Sequence, residues 1–133
     1  MLIQVKQSKD LPKLMQGLLQ VYASYFRRKY HSTGFAFQNR YKSIHIESDG
    51  YLLECVRYIE RNPLRAKITA DIKDYPWSSL LYYAGISNNI INATNPLYLA
   101  LANTEEERRR LYLKYTLEER PHELIVDNTF RMR

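Results

Sequence analysis

The stretch Arg57-Tyr58-Ile59-Glu60-Arg61-Asn62-Pro63-Leu64-Arg65-Ala66 sets a tyrosine among three arginines, with an asparagine one helical turn further on. A tyrosine hydroxyl can attack a phosphodiester and remain covalently joined to the phosphate. Guanidinium groups match a phosphate in a two-pronged geometry and can hold the backbone under attack. On a helix, Arg57, Arg61 and Arg65 recur at spacing four and form a row bordering Tyr58, while Tyr58 and Asn62 lie on one side. Like charges at that spacing repel mildly unless an anion lies against them. The chemistry this suggests is DNA strand transfer through a phosphotyrosine. The competing reading is a solvated arginine face offset by Glu54 and Glu60.

The elements that must position these residues can be read from periodicity. Residues 2–6 alternate enough to predict a strand. Asp10 is a helix-capping residue and Pro12 suits a first turn. Leu11, Leu14, Leu18, Tyr22, Tyr25 and Phe26 then recur at spacings of three and four, which predicts an amphipathic helix ending near Tyr30-His31. Residues 35–47 read as one or two strands, with Arg40 and Lys42 flanking Tyr41. Ser48-Asp49-Gly50 is a turn and helix start. Leu52, Val56 and Ile59 form the core-facing stripe of the Tyr58 helix, and Asn62-Pro63 begins its end, because the residue before a proline avoids helical geometry. A short helix is expected from Tyr75-Pro76-Trp77-Ser78-Ser79 to about Gly85, a loop over 86–96, and a last helix opened by the Thr104/Glu107 capping box, with Leu111, Tyr112 and Tyr115 inward. The tail after Pro121 is expected to be a peripheral strand or to be mobile.

Composition narrows the function classes. With 45% hydrophobic residues the chain can bury a core. Tyrosine supplies 12 of the aromatic residues against 4 phenylalanines and 1 tryptophan, and tyrosine both packs and stacks on bases. The formal net charge is +6, and residues 1–48 hold 8 Lys/Arg against 2 Asp/Glu, whereas the rest of the chain is balanced. That asymmetry suggests a surface facing a polyanion. A single cysteine, Cys55, excludes an internal disulfide and a cysteine zinc site and is expected to be a buried thiol. No apolar run of about 18 residues is present, so no membrane span is expected. A reducing cytoplasm is the expected location.

Three further blocks stand in order around the Tyr58 stretch: Gly34-Phe35-Ala36-Phe37-Gln38-Asn39-Arg40-Tyr41-Lys42-Ser43, Asp49-Gly50-Tyr51-Leu52-Leu53, and Asp74-Tyr75-Pro76-Trp77-Ser78-Ser79. Their order and spacing resemble the single-tyrosine HUH transposases, in particular the REP-associated branch of the insertion-sequence-200-like group. The resemblance covers roughly residues 2–85. It implies an α+β fold: a ferredoxin-like antiparallel sheet with helices packed on one face, here N-terminally incomplete, plus C-terminal helices. It divides the chain into a transposase-like domain over 1–85 and a helical extension over 86–133. It also implies cutting and joining of single-stranded or hairpin DNA through a 5′-phosphotyrosine intermediate.

Residue by residue, the resemblance makes Tyr58 the nucleophile. Arg40, Lys42, Arg57, Arg61, Arg65 and Tyr41 become DNA-binding candidates; Trp77 is a second stacking candidate, although a tryptophan in such a place is more often core. Asn62 matches a position that can complete the shell of a divalent metal, Mg²⁺ or Mn²⁺, although a neutral amide oxygen binds Mg²⁺ less well than a carboxylate. The His-hydrophobic-His strand that holds this metal would run into Leu2-Ile3-Gln4-Val5, placing its histidines before Met1. The chain is therefore expected to start just past them and not to bind the metal. His45 and Glu47 would share a strand face, a pattern more typical of surface polar alternation than of ligation. Without the metal, nothing upstream neutralises charge on an attacked phosphate. Two readings follow: a transposase acting through Tyr58, or a DNA-binding remnant without the chemistry. A missing strand would also leave a sheet edge open for pairing in a dimer.

Overall fold

The computed structural model describes residues 1–87 and 94–119. In chain order it contains α1 (Asp10–Tyr30), α2 (Asp49–Arg65), a 3₁₀ turn (Ile72–Asp74), α3 (Leu80–Tyr83), α4 (Pro96–Leu99) and α5 (Glu105–Leu117). These elements fall into two compact units, one of residues 2–45 and one running from Ile46 onward.

The expected ferredoxin-like sheet is overturned: among the described residues there is no β-strand. Residues 2–6 and 35–47 carry the alternation of strands without forming any ladder. Alternation selects only a face, whereas a strand's N–H and C=O groups need a second strand to pair with. A helix meets the same need within its own segment. Phe35, at the start of the second of these stretches, is 98% exposed. His45 and Glu47 consequently share no strand face, and among the described residues there is no sheet edge through which a dimer could pair.

The first unit is built on α1. Asp10 lies inside the helix, with Lys9 at the cap position and no side-chain cap bond. Its charge still suits the first turn, where the helix dipole favours an anion, and Arg27, Arg28 and Lys29 suit the last. His31 closes the helix in a left-handed conformation, at the expected place. Met15 is buried, but Leu14, Leu18, Val21, Tyr22, Tyr25 and Tyr30 are exposed.

The second unit holds the core. Ser48 caps α2, its hydroxyl accepting from the Tyr51 N–H at 3.3 Å. Of the predicted stripe, Val56 is buried and Leu52 packs against the same cluster, whereas Ile59 is half-buried and stands outside it. That cluster comprises Val56, Ile72, Leu80, Tyr83, Tyr98 and Tyr112, with Leu101 and Leu113 at its margin. The three tyrosine rings fill its centre, with Tyr83 4.7 Å from both Tyr98 and Tyr112 between centroids. Thr104 caps α5 by accepting from the Glu107 N–H at 3.4 Å, as the capping box predicts. Within the expected loop, Asn95 starts α4 by accepting from the Leu97 N–H at 3.0 Å. The expected tail beyond Pro121 lies outside the described residues.

α2 runs through Pro63 to Arg65, further than the proline suggested. It then closes in two steps. The Ile68 N–H donates to the Pro63 carbonyl at 2.9 Å and the Lys67 N–H to the Leu64 carbonyl at 3.1 Å. This doubly bonded closure needs a left-handed residue, and Lys67 supplies it with φ 55°. A lysine is strained there and a glycine is not. Lys67→Gly should therefore raise stability by about 0.5–1 kcal/mol, read as a higher urea midpoint with an unchanged slope. A lower midpoint would show that the lysine side chain contributes more than its backbone strain costs.

Candidate functional site

α2 presents the candidate residues on different sides. Tyr58 is half-buried, and Asn62 and Arg65 are exposed. The Arg65 guanidinium lies 5.0 Å from the centre of the Tyr58 ring, a cation–π distance. Tyr58, Asn62 and Arg65 thus form one surface strip at the C-terminal end of α2.

The arginine row does not stay on that surface. Arg57 is 3% exposed and Arg61 7%. Arg57 Nε donates to the Tyr115 carbonyl at 3.2 Å, and its Nη2 donates to the Glu118 carbonyl. Arg61 Nη1 donates to the carbonyls of Thr116 at 3.0 Å and Leu117 at 2.9 Å. These carbonyls end α5, where the last turn of a helix leaves its oxygens without intrahelical donors and carries partial negative charge. The negative charge lying against two of the three arginines is therefore the carbonyl end of α5. Burial, and after it the like charge of Arg57, lowers the proton affinity of Arg61, with Glu119 opposing.

Two carboxylates complete the junction between α2 and α5. Glu54 accepts from the Tyr115 hydroxyl at 2.7 Å and lies 3.7 Å from Arg57 Nη1. Glu60 is 1% exposed. It accepts from the Ser79 hydroxyl at 2.7 Å and from the Tyr112 hydroxyl at 2.8 Å. Burial pushes the Glu60 carboxyl up to about 7, against the two hydroxyl donors, which favour the charged form. Burial, followed by the charge of Glu60, also raises Tyr112, so its phenol stays a donor. Sequence reasoning placed Glu60 on a solvated face. The signal that it is buried lay in its spacing, because Leu52, Val56 and Glu60 sit four apart in one row.

The remaining candidates are placed as follows. Arg40 and Lys42 are exposed and Tyr41 is half-buried, all in the first unit. Trp77, which could have been core, is 84% exposed in the second unit and available for stacking. Cys55 is buried, as expected, and burial raises its thiol. His31 and His45 are exposed, and His122 lies outside the described residues. Among the described residues no group of three or more His, Cys, Asp or Glu could hold a metal ion. Asn62 therefore has no such group beside it among the described residues with which to share a divalent cation. Among the described residues no helix is long and apolar enough to cross a membrane.

Compared with protein-family models, curated proteins and solved structures, the chain matches none.

Proposed function

We propose that this chain is a DNA-binding protein related to the single-tyrosine transposases, acting on single-stranded or hairpin DNA by binding rather than by cleavage. The observation that carries the reading is the charge of the first unit. Arg27, Arg28, Lys29, Arg40 and Lys42 are all exposed there, and acidic residues are nearly absent from the same stretch. Binding of this kind is driven by release of counterions from phosphates and needs no metal. Arg65 and Trp77 add a surface cation and an exposed ring in the second unit. A reducing, cytoplasmic location belongs to the same proposal.

The second reading, strand transfer through Tyr58, draws support from one contact: the Arg65 guanidinium stands over the Tyr58 ring. A cation there could hold a phosphate beside the phenol. Arg57 and Arg61 add no such support, since both are buried and hydrogen-bonded to carbonyls at the end of α5.

The two readings part in one experiment on labelled hairpin and single-stranded DNA, with and without Mn²⁺, using the full chain and Tyr58→Phe. Binding without a covalent adduct is expected, equal in both proteins. Affinity should fall linearly with salt on a log–log plot, and Arg40→Ala or Lys42→Ala should each reduce the slope by roughly 0.7 on single strands. A Mn²⁺-dependent adduct that Tyr58→Phe abolishes would establish the strand-transfer reading. Failure of the full chain to bind any of these DNAs at low salt would defeat both.

A further inference from the structure

The C-terminal half of α1 carries a connected set of aromatic rings. Tyr22 lies 6.4 Å from Tyr25 and 6.2 Å from Phe26 between centroids, and Phe26 lies 4.7 Å from Tyr30. Phe37, from the segment following the helix, joins the set at 5.6 Å from Tyr22. Tyr22, Tyr25, Tyr30 and Phe37 are exposed. Lys29 Nζ stands between two of them, 5.3 Å from the centre of Tyr25 and 5.4 Å from Tyr30. Arg27 and Arg28 are steadied along the helix, each Nε donating one turn back to a carbonyl, Ala23 at 3.4 Å and Ser24 at 3.3 Å. Asp10 is the only acidic residue among positions 2–45, against 8 Lys/Arg.

Such a face needs an occupant that is anionic and flat. A second copy of the chain would bring the same cations against these, at a cost in like-charge repulsion. A neutral apolar partner would gain from the rings but leave Arg27, Arg28 and Lys29 without a counter-charge. Unpaired nucleotides meet both demands, because each base offers a π-face to a ring and each phosphate an anion to a neighbouring cation. Paired bases cannot do this, since their faces are already stacked on one another.

We propose that the face of α1 formed by Tyr22, Tyr25 and Tyr30, with Phe37, is a stacking surface for the unpaired bases of single-stranded DNA, and that Arg27, Arg28 and Lys29 hold the adjoining phosphates. The assignment rests on the DNA-binding reading and adds to it a site separate from the Tyr58 strip, tolerant of sequence and selective for single strands. The rings are exposed, so replacing them leaves folding intact, which the urea midpoint checks.

The test is fluorescence anisotropy of the full chain with a labelled oligothymidylate and with a blunt duplex of equal length. Three proteins are compared: the unaltered chain, a Tyr25→Leu/Tyr30→Leu variant, and a Tyr25→Phe/Tyr30→Phe variant. The leucine variant should bind the oligothymidylate at least tenfold more weakly, since loss of one stacked base is worth roughly that factor. It should bind the duplex within twofold of the unaltered chain, and the phenylalanine variant should restore single-strand affinity. Equal single-strand affinity in all three proteins would overturn the stacking site and leave DNA binding standing. A leucine variant that shifts from dimer to monomer in sedimentation, with DNA affinity unchanged, would assign the face to a second copy instead. Absence of binding to either DNA by the unaltered chain would overturn the site together with the reading beneath it.

Discussion

Raising the pH from 5 to 8 should cost the folded chain on the order of 3 kcal/mol, and Glu60→Gln should remove most of that loss. The carboxyl of Glu60 is pushed from the ordinary 4.5 up to about 7 because it is buried between Ser79 and Tyr112. The sign follows from proton counting. Below the unfolded value the carboxyl is protonated in both states and contributes nothing to the pH dependence. Between the two values the folded chain holds a proton that the unfolded chain has released, so stability falls as pH rises. Above the folded value both states are ionised and the full cost of a buried carboxylate is borne. Each pH unit of difference is worth about 1.4 kcal/mol, which sets the size of the effect.

Glutamine keeps the shape of Glu60, and its carbonyl can still accept from one of the two hydroxyls without carrying charge. The variant should match the parent near pH 5 and exceed it near pH 8, measured by urea unfolding at both. The difference between the two proteins isolates Glu60 from every other ionisable group. Parallel pH profiles would mean that Glu60 takes up no proton on folding.

Arg61→Met should destabilise the chain by about 3 kcal/mol, whereas Arg65→Met, four residues further along the same helix, should cost less than about 1 kcal/mol. Methionine preserves much of the apolar stem but removes the donors that reach the Thr116 and Leu117 carbonyls. Leaving the buried Thr116 carbonyl without a partner costs about 1–3 kcal/mol, the part-buried Leu117 carbonyl adds less, and the helix end also loses a compensating positive charge. Arg65 is exposed and stands over the Tyr58 ring, an arrangement worth roughly 0.5–1 kcal/mol at a surface.

The same pair of variants separates structure from binding. Arg61→Met should lower DNA affinity only to the extent that it unfolds the chain, while Arg65→Met should leave the urea midpoint nearly unchanged and weaken DNA binding. If Arg61→Met folds normally and loses DNA affinity, its guanidinium reaches phosphate in solution and the contacts with α5 are dispensable.

What could be read directly in the residues was local. The extent of α1, the Ser48 start of α2, the Thr104 cap of α5 and the Leu52–Val56 stripe all follow from hydrogen bonds and periodicities confined to a few turns, so neighbouring residues suffice to specify them. The buried thiol of Cys55 follows in the same way from its place in an apolar pattern. The charge excess of the first third is likewise a property of composition and needs no fold. The strands were not decided in this way, because the alternation in 2–6 and 35–47 says which side chains would share a face and nothing about a partner for the backbone.

Tertiary structure alone decided the roles of Arg57, Arg61 and Glu60. A row of arginines at spacing four reads identically whether it faces a phosphate or the carbonyl end of another helix, since both are clusters of oxygen bearing negative charge. Arg57 and Arg61 turn inward because α5, about 55 residues later in the chain, brings its unmet carbonyls against them. Glu60 is buried for the matching reason: Ser79 and Tyr112, distant in sequence, supply the two donors that a carboxylate must have to leave water.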